Sequence, residues 1–350
     1  MSGMITTLAR YGRPVAGLVP LVDLGSPDAA RDLDEACRTI GFFSITGHGV
    51  DRTIVQTMLA ATDEFFALPL EVKLAYRSPG PHINRGYAAK GTEGLTYSLG
   101  VTGRPADLFE AFNIGPENAP PGLGLAARPE FAPNIWPSEP APLRPGLVGY
   151  FEEVAALCHR VTRLLAVALD LDEGFFEDKT DHSTNTVRVN HYERGPGEPE
   201  PIEGQQRMGA HTDYGIVTIL YADPVPGLQI VGPDGQWHDV QPPEGAFLCN
   251  LGDLLAQWTN DRWRSTLHRV VPPLGSSTGP AVRRSVAFFH DGNYDAVVEC
   301  LPTCCSADDP PRYPPVVAGE HLRAKLQGPR TLTRSAATDT AGGRLHMAGE

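Results

Sequence analysis

The chain lacks long apolar runs and has few positive charges. Although 41% of its 350 residues are hydrophobic, no stretch approaches the roughly 20 apolar residues that a membrane-spanning helix needs. The opening segment MSGMITTLARYGRP has no sustained apolar core of the signal-peptide kind, so we expect a cytoplasmic protein with no membrane contact. With 29 Lys and Arg against 42 Asp and Glu, the net charge of −13 argues against a nucleic-acid partner.

Cysteines are also few, and their spacing excludes two kinds of site. The six cysteines are scattered, which in a large intracellular chain indicates free thiols rather than a disulfide framework. Cys300, Cys304 and Cys305 could form half of a structural zinc site, but the sequence offers no second half with ligand spacing.

What the sequence does contain changes character near residue 186. Apolar residues at helical spacing predict helices over 28–40, 51–67 and 145–170. From 186 onward, short β-rich segments alternate with Gly, Pro and Asp, which is typical of a sandwich or barrel.

No clear linker separates the two parts. We therefore predict one compound domain over 1–330, with a helix-rich part at 1–185, a β-rich part at 186–300 and an extension to 330. The expected fold is a double-stranded β-helix, or jelly roll, with flanking helices. The small, polar residues 331–350 are expected to form a mobile tail.

A candidate metal site lies in the β-rich part. His211 and Asp213 in GAHTDYG are two residues apart, and such positions on a strand share one face. With the distant His268 in WRSTLHRVV, they supply the two imidazoles and one carboxylate of a non-haem Fe(II) facial triad. On ligand type alone, the same pair could bind another divalent metal or none.

The flanking segments resemble the isopenicillin N synthase-like family of Fe(II)/2-oxoglutarate-dependent oxygenases. The resemblance covers about residues 18–330, and its segments occur in the family's order. They include VPLVDL, ACRTIGFFSITGHGV, DLFEAFNIG, VNHYE, GAHTDYG, NLGDLLAQWTNDRWRSTLHRVV and RRSVAFF. It implies that His211, Asp213 and His268 are the iron ligands and that 2-oxoglutarate and O2 are consumed.

The resemblance also implies a binding site for 2-oxoglutarate. Arg283 and Ser285 match the family's RxS motif, which grips the distal carboxylate of the co-substrate. An Arg fork suits a carboxylate, and i+2 spacing places both side chains on one face of a strand. Tyr192 resembles the partner in that grip, and Asn190 the polar residue near the iron-bound end. Arg284 should face the other way and pair with a surface carboxylate.

The substrate contacts that the resemblance suggests are Phe289, Tyr87 and Asn113. The expected activity is oxidation of a small molecule by hydroxylation, desaturation or cyclisation, with release of succinate and CO2. The Ala-, Gly-, Arg- and Pro-rich composition suggests a bacterial source and specialised metabolism. Two alternatives stay open: an Fe(II) oxidase that needs no 2-oxoglutarate, as in isopenicillin N synthase or ascorbate-using enzymes, and a non-catalytic metal- or ligand-binding protein.

Overall fold

The computed structural model describes residues 17–195, 198–272 and 282–334. All but the first four residues of the predicted tail lie outside these ranges. The helices are α1 (Ala29–Thr39), α2 (Arg52–Phe66), α3 (Leu70–Leu74), α4 (Leu143–Ala168), α5 (Asp253–Trp258) and α6 (Ala318–Thr331). The strands are β1 (Leu21–Asp23), β2 (Phe42–Thr46), β3 (Gly86–Ala88), β4 (Glu110–Ile114), β5 (Thr186–Glu193), β6 (Met208–His211), β7 (Val217–Ala222), β8 (Leu228–Val231), β9 (Trp237–Asp239), β10 (Phe247–Leu251), β11 (His268–Val270), β12 (Val282–His290), β13 (Val297–Val298) and β14 (Val316–Val317).

The three helices predicted from apolar spacing are α1, α2 and α4, each within two residues of its predicted ends. The Asp51 carboxylate begins α2 by accepting a hydrogen bond from the Thr53 amide at 2.8 Å. The long helix α4 packs against α1, α2 and β12. Its buried stripe recurs every three or four residues and includes Leu147, Tyr150, Val154, Leu157, Val161 and Leu165. No helix in the described ranges is both long and apolar enough to cross a membrane.

From residue 186 to residue 290 the strands alternate between two sheets, except that the consecutive strands β8 and β9 both lie in the smaller one. This is the jelly-roll arrangement predicted from the sequence. Strands β5, β7, β10 and β12 lie in an eight-stranded sheet of order β1-β2-β10-β7-β12-β5-β4-β3. Strands β6, β8, β9 and β11 form a second sheet of order β6-β11-β8-β9. The N-terminal part adds β1–β4 to the edges of the larger sheet, so that sheet contains residues from both parts of the chain.

The two faces of the larger sheet have different environments, and β12 shows the division. Alternate residues of this strand, from Arg283 through Ser285 to Phe289, line a pocket between the two sheets. Phe288 points to the opposite face, where its ring lies 5.2 Å from that of Phe151 on α4. Arg284 also faces away from the pocket and pairs at 2.6 Å with Asp63 of α2, as predicted.

Candidate active site

Three side chains converge at one edge of the smaller sheet. His211 ends β6 and His268 begins β11, and the two residues are direct partners across these antiparallel strands. Their ring centroids are 4.2 Å apart. Oδ1 of Asp213 lies 3.8 Å from Nε2 of His211 and 3.6 Å from Nε2 of His268. All three ligand atoms lie within 4.8 Å of one another, so the cluster could hold a metal ion.

The sequence pattern predicted that His211 and Asp213 lie on one strand, but that strand ends before Asp213. β6 stops at His211, and Asp213 lies two residues past its end. The intervening Thr212 nevertheless points away from the cluster, with its hydroxyl donating to the Asp253 carboxylate at 3.1 Å. Asp213 is held by its own carbonyl oxygen, which accepts from the Asp253 amide at 2.8 Å. The two ligands therefore converge because the turn is fixed by hydrogen bonds, and not because both belong to one strand.

Backbone carbonyl groups orient both imidazole rings. Nδ1 of His211 lies 2.8 Å from the Gly209 carbonyl oxygen, and Nδ1 of His268 lies 3.1 Å from that of Thr266. A proton on each Nδ1 would leave the lone pair of each Nε2 on the side of Asp213, which is the tautomer needed for a metal bound through Nε2. Burial, together with the neighbouring His268, lowers the pKa of His211 to about 3. His211 is thus neutral at physiological pH, as a ligand must be.

The Asp213 carboxylate is held by its second oxygen. Oδ2 accepts hydrogen bonds from the Thr218 hydroxyl at 2.5 Å and from the Asn250 amide at 2.6 Å. These two donors leave Oδ1 directed at the histidines. One carboxylate oxygen and two imidazole nitrogens on one side of a site, with the pocket on the other, are the donor set that suits Fe(II) with open positions.

A second group of polar residues lies across β5 and β12. In the sheet register Arg283 faces Tyr192, and Ser285 faces Asn190. The Asn190 amide lies 3.5 Å from the Ser285 hydroxyl. Arg283 is 1% exposed, and its guanidinium carbon lies 5.1 Å from the centre of the Tyr192 ring. All four residues line the pocket that also contains the metal-ligand cluster. A buried cation with a neighbouring hydroxyl is a suitable receptor for a carboxylate.

Tyr192 differs in detail from the expected arrangement. Its hydroxyl lies 3.8 Å from the sulfur of Met208, while the face of its ring supports the Arg283 guanidinium. This geometry indicates a cation–π support for Arg283 in addition to any hydrogen bond that the phenol makes to a ligand.

The three suggested substrate contacts fall in different places. Phe289 lines the pocket, whereas Tyr87 and Asn113 are absent from its lining. Tyr87 is 3% exposed and donates a 2.5 Å hydrogen bond to the Glu110 carboxylate. Asn113 lies behind the pocket wall, where its side-chain oxygen accepts from Arg188 at 3.3 Å. The structure therefore moves both residues out of direct contact with the cavity.

Sequence reasoning missed several residues that the structure brings to the pocket. Arg188 lines it and pairs with Glu93 at 2.6 Å. It lies two residues before Asn190 on β5, so the alternation of that strand could have identified it. Helix α6 forms another wall through residues that include Leu322, Leu326 and Arg330, and nothing in its sequence marks it as a pocket wall.

Comparison with known families defines the class of protein. Residues 183–292 match the 2OG-Fe(II) oxygenase superfamily, and residues 19–139 match the family described as "non-haem dioxygenase in morphine synthesis N-terminal". The chain belongs to the isopenicillin N synthase-like 2-oxoglutarate–Fe(II) oxygenases and is a dioxygenase that uses Fe(II), 2-oxoglutarate and O2.

Individual relatives are similar to this chain over most of their length. The 2-oxoglutarate-Fe(II) type oxidoreductase hxnY of Emericella nidulans is 38% identical over 298 residues, which cover 84% of this chain and 82% of the relative. Homoarginine-6-hydroxylase 2-ODD-233 of Oryza sativa subsp. japonica is 33% identical over 326 residues, covering 89% and 96%. The crystal structure of Neurospora crassa T7H with alpha-KG and 5-formyluracil is similar with a TM-score of 0.75 and 30% identity, covering 89% and 96% of the two chains.

Proposed function

We propose that this chain oxidises a small-molecule substrate in a pocket where His211, Asp213 and His268 hold Fe(II) and Arg283 and Ser285 hold 2-oxoglutarate. The observation that carries the proposal is that both groups of residues open onto one cavity. When bound, Fe(II) and 2-oxoglutarate supply the oxidative chemistry that consumes O2, releases succinate and CO2, and removes a hydrogen atom from the substrate.

The residues of β5 and β12 orient the co-substrate. Arg283 and Ser285 receive the distal carboxylate, since a buried guanidinium gains most from an ionic partner that water does not screen. The 2-oxo acid end then reaches toward the metal ligands. Asn190, which lies two residues before Tyr192 on the same face of β5, can donate a hydrogen bond to it. Co-substrate orientation thus follows from the register of two paired strands.

The prime substrate occupies the part of the same cavity that the co-substrate leaves open. Phe289 is one of several aromatic residues in the lining, and Arg188, Asp291 and Arg330 also reach the cavity. We infer a small substrate with an apolar or ring-shaped body and a few polar groups, because several aromatic and aliphatic side chains line the cavity and a smaller number of charged ones reach it. The rice relative is named a hydroxylase, and the Neurospora protein binds 5-formyluracil, which favours hydroxylation of a small nitrogen-containing molecule among the possible outcomes. A role in bacterial specialised metabolism remains part of the proposal.

The test is an anaerobic titration with Fe(II) and 2-oxoglutarate, followed by the weak visible charge-transfer band of the chelate. The band should form in the wild-type protein and be lost in Asp213→Ala. It should persist in Asp63→Ala, a control on the outer surface whose side chain is 47% exposed. Iron binding without the band, and no succinate on adding O2, would instead support an oxidase that works without 2-oxoglutarate.

A further inference from the structure

A fully buried ion pair joins the pocket wall to the segments that carry the metal ligands. Helix α6 lines the pocket, yet its Lys325 points into the protein and has a side-chain exposure of 0%. Nζ of Lys325 lies 2.9 Å from Oδ2 of Asp253, whose side chain is 3% exposed. Removing one member of such a pair leaves an uncompensated buried charge, so the two residues depend on each other.

Asp253 in turn contacts both segments that supply metal ligands. Its amide donates to the Asp213 carbonyl at 2.8 Å, and its carboxylate accepts from Thr212 at 3.1 Å. The same carboxylate accepts from the Ser265 hydroxyl at 2.8 Å, three residues before His268. One side chain therefore fixes the turn after β6 and the approach to β11.

Lys325 also reaches the first of these segments directly. Its ammonium lies 5.7 Å from the centre of the Tyr214 ring, and Tyr214 follows Asp213 in the chain. The carbonyl of Tyr214 accepts from the amide of Leu254 at 3.1 Å, so α5 and the ligand-bearing turn are hydrogen-bonded at consecutive residues. The ammonium is thus enclosed by groups whose positions depend on the metal-ligand turn.

We propose that Lys325 is a positioning residue that couples the substrate-pocket wall α6 to the metal site through Asp253. The proposal rests on the proposed function, because it requires a metal at His211, Asp213 and His268. A metal that fixes the ligand segments then stabilises the docking of α6, and docking of α6 strengthens metal binding by the same factor. Metal loading and formation of a complete substrate pocket are thereby linked.

Another ion pair of α6, which is more exposed and lies at the pocket lining, provides a control. Arg323 lies on the same helix and pairs with Glu130 at 2.8 Å, with a side-chain exposure of 41%. Glu130 belongs to a short 3-10 helix (Pro129–Phe131) before α4 and not to a segment that carries a metal ligand. Arg323→Met and Lys325→Met each remove one cation from one helix, but only the second interrupts the connection to the ligands.

The experiment measures Mn(II) affinity and hydrogen exchange of the peptide 318–331, with and without Mn(II), well below the unfolding temperature. In Lys325→Met the Mn(II) dissociation constant should rise about tenfold, the lower end of the effect of residues that support metal ligands. Mn(II) should slow exchange in 318–331 of the wild-type protein and of Arg323→Met, and have no such effect in Lys325→Met.

A second variant separates loss of the coupling from destabilisation of the fold by an unpaired buried charge. Lys325→Met combined with Asp253→Asn leaves no buried charge unpaired. The Asn oxygen still accepts from one of the Thr212 and Ser265 hydroxyls, and its NH2 group can donate to the other. In this double variant, too, Mn(II) should no longer slow exchange in α6. Wild-type Mn(II) affinity in Lys325→Met, or a metal-dependent slowing that survives in the double variant, would overturn the coupling. Failure of the wild-type protein to bind Mn(II) at all would count against the proposed function itself.

Discussion

The two hydrogen bonds to Asp213 give the sharpest test of how the metal site is built. Thr218→Val replaces one hydroxyl by a methyl group and removes the donor that lies 2.5 Å from Oδ2 of Asp213. Thr218 is 4% exposed, so water has little access to replace that donor. The second donor, Asn250, lies 2.6 Å from the same oxygen and can be removed separately by Asn250→Leu.

The magnitude follows from the kind of hydrogen bond that is lost. A hydrogen bond to a charged group contributes about 1.5–3 kcal/mol, and about 1.4 kcal/mol corresponds to a tenfold change in an equilibrium constant. The bond exists with and without metal, so only the part that directs Oδ1 at the histidines affects binding. We therefore expect metal affinity to fall about tenfold in each single variant, within the range typical of residues that support a ligand.

The assay is a titration with Mn(II), in which the free ion is measured by electron paramagnetic resonance. Thr62→Val is the matched control, because Thr62 is also buried and its hydroxyl donates at 2.9 Å to a backbone carbonyl within α2, away from the site. The double variant of Thr218 and Asn250 should bind more weakly than either single variant. If both single variants and the double variant bind Mn(II) within about twofold of the control, then these donors do not orient Asp213.

Three further predictions concern other parts of the molecule. Arg283→Leu should raise the apparent KM for 2-oxoglutarate at least about tenfold through loss of a charge-assisted bidentate contact, whereas Arg284→Leu should leave this KM unchanged. Steady-state rates of succinate formation measure both values. Burial and a neighbouring histidine lower the pKa of His290 from 6.5 to about 3. Between these two pH values the unfolded chain binds more protons than the folded one, so the free energy of unfolding should fall as pH drops below about 6.5. Urea titrations at several pH values should show a weaker pH dependence of this free energy in His290→Gln. Gly252→Ala would place a methyl carbon 2.2 Å from a backbone oxygen and should lower the melting temperature, while Gly149→Ala on α4, with nothing within 4 Å, should raise stability by about 0.5–1 kcal/mol.

The sequence allowed prediction of those parts of the site that depend on local periodicity. The segment 186–193 is a strand, as predicted. Its antiparallel pairing with β12 brings Asn190 opposite Ser285 and Tyr192 opposite Arg283. The outward direction of Arg284 followed from the same period of two. Local periodicity succeeds here because the faces of a strand are fixed by the backbone itself.

The remaining parts depend on packing between elements that are distant in the sequence. Tyr87 was a candidate substrate contact, but β3 lies at the end of the larger sheet, and the Tyr87 hydroxyl is taken up by Glu110. In α6, Lys325 occupies a buried position and Pro329 lies within the helix, so its sequence does not show a simple apolar stripe. Strand order and the burial of a paired charge are tertiary features that no local pattern expresses.

The pairing register of β7 and β10 determines which side chains hold the Asp213 carboxylate. In the larger sheet β7 and β10 pair so that Thr218 lies directly opposite Asn250, and both face the pocket. These two residues are more than 30 positions apart in the sequence, yet their donors meet at the same oxygen of Asp213. A slip of one residue would turn Ile219 or Cys249 toward Asp213 in place of a donor and leave its second oxygen without support. The orientation of Asp213, in the turn after β6 of the smaller sheet, therefore depends on strand pairing in the larger one. The apolar residues that hold this register contribute to metal binding without touching the metal.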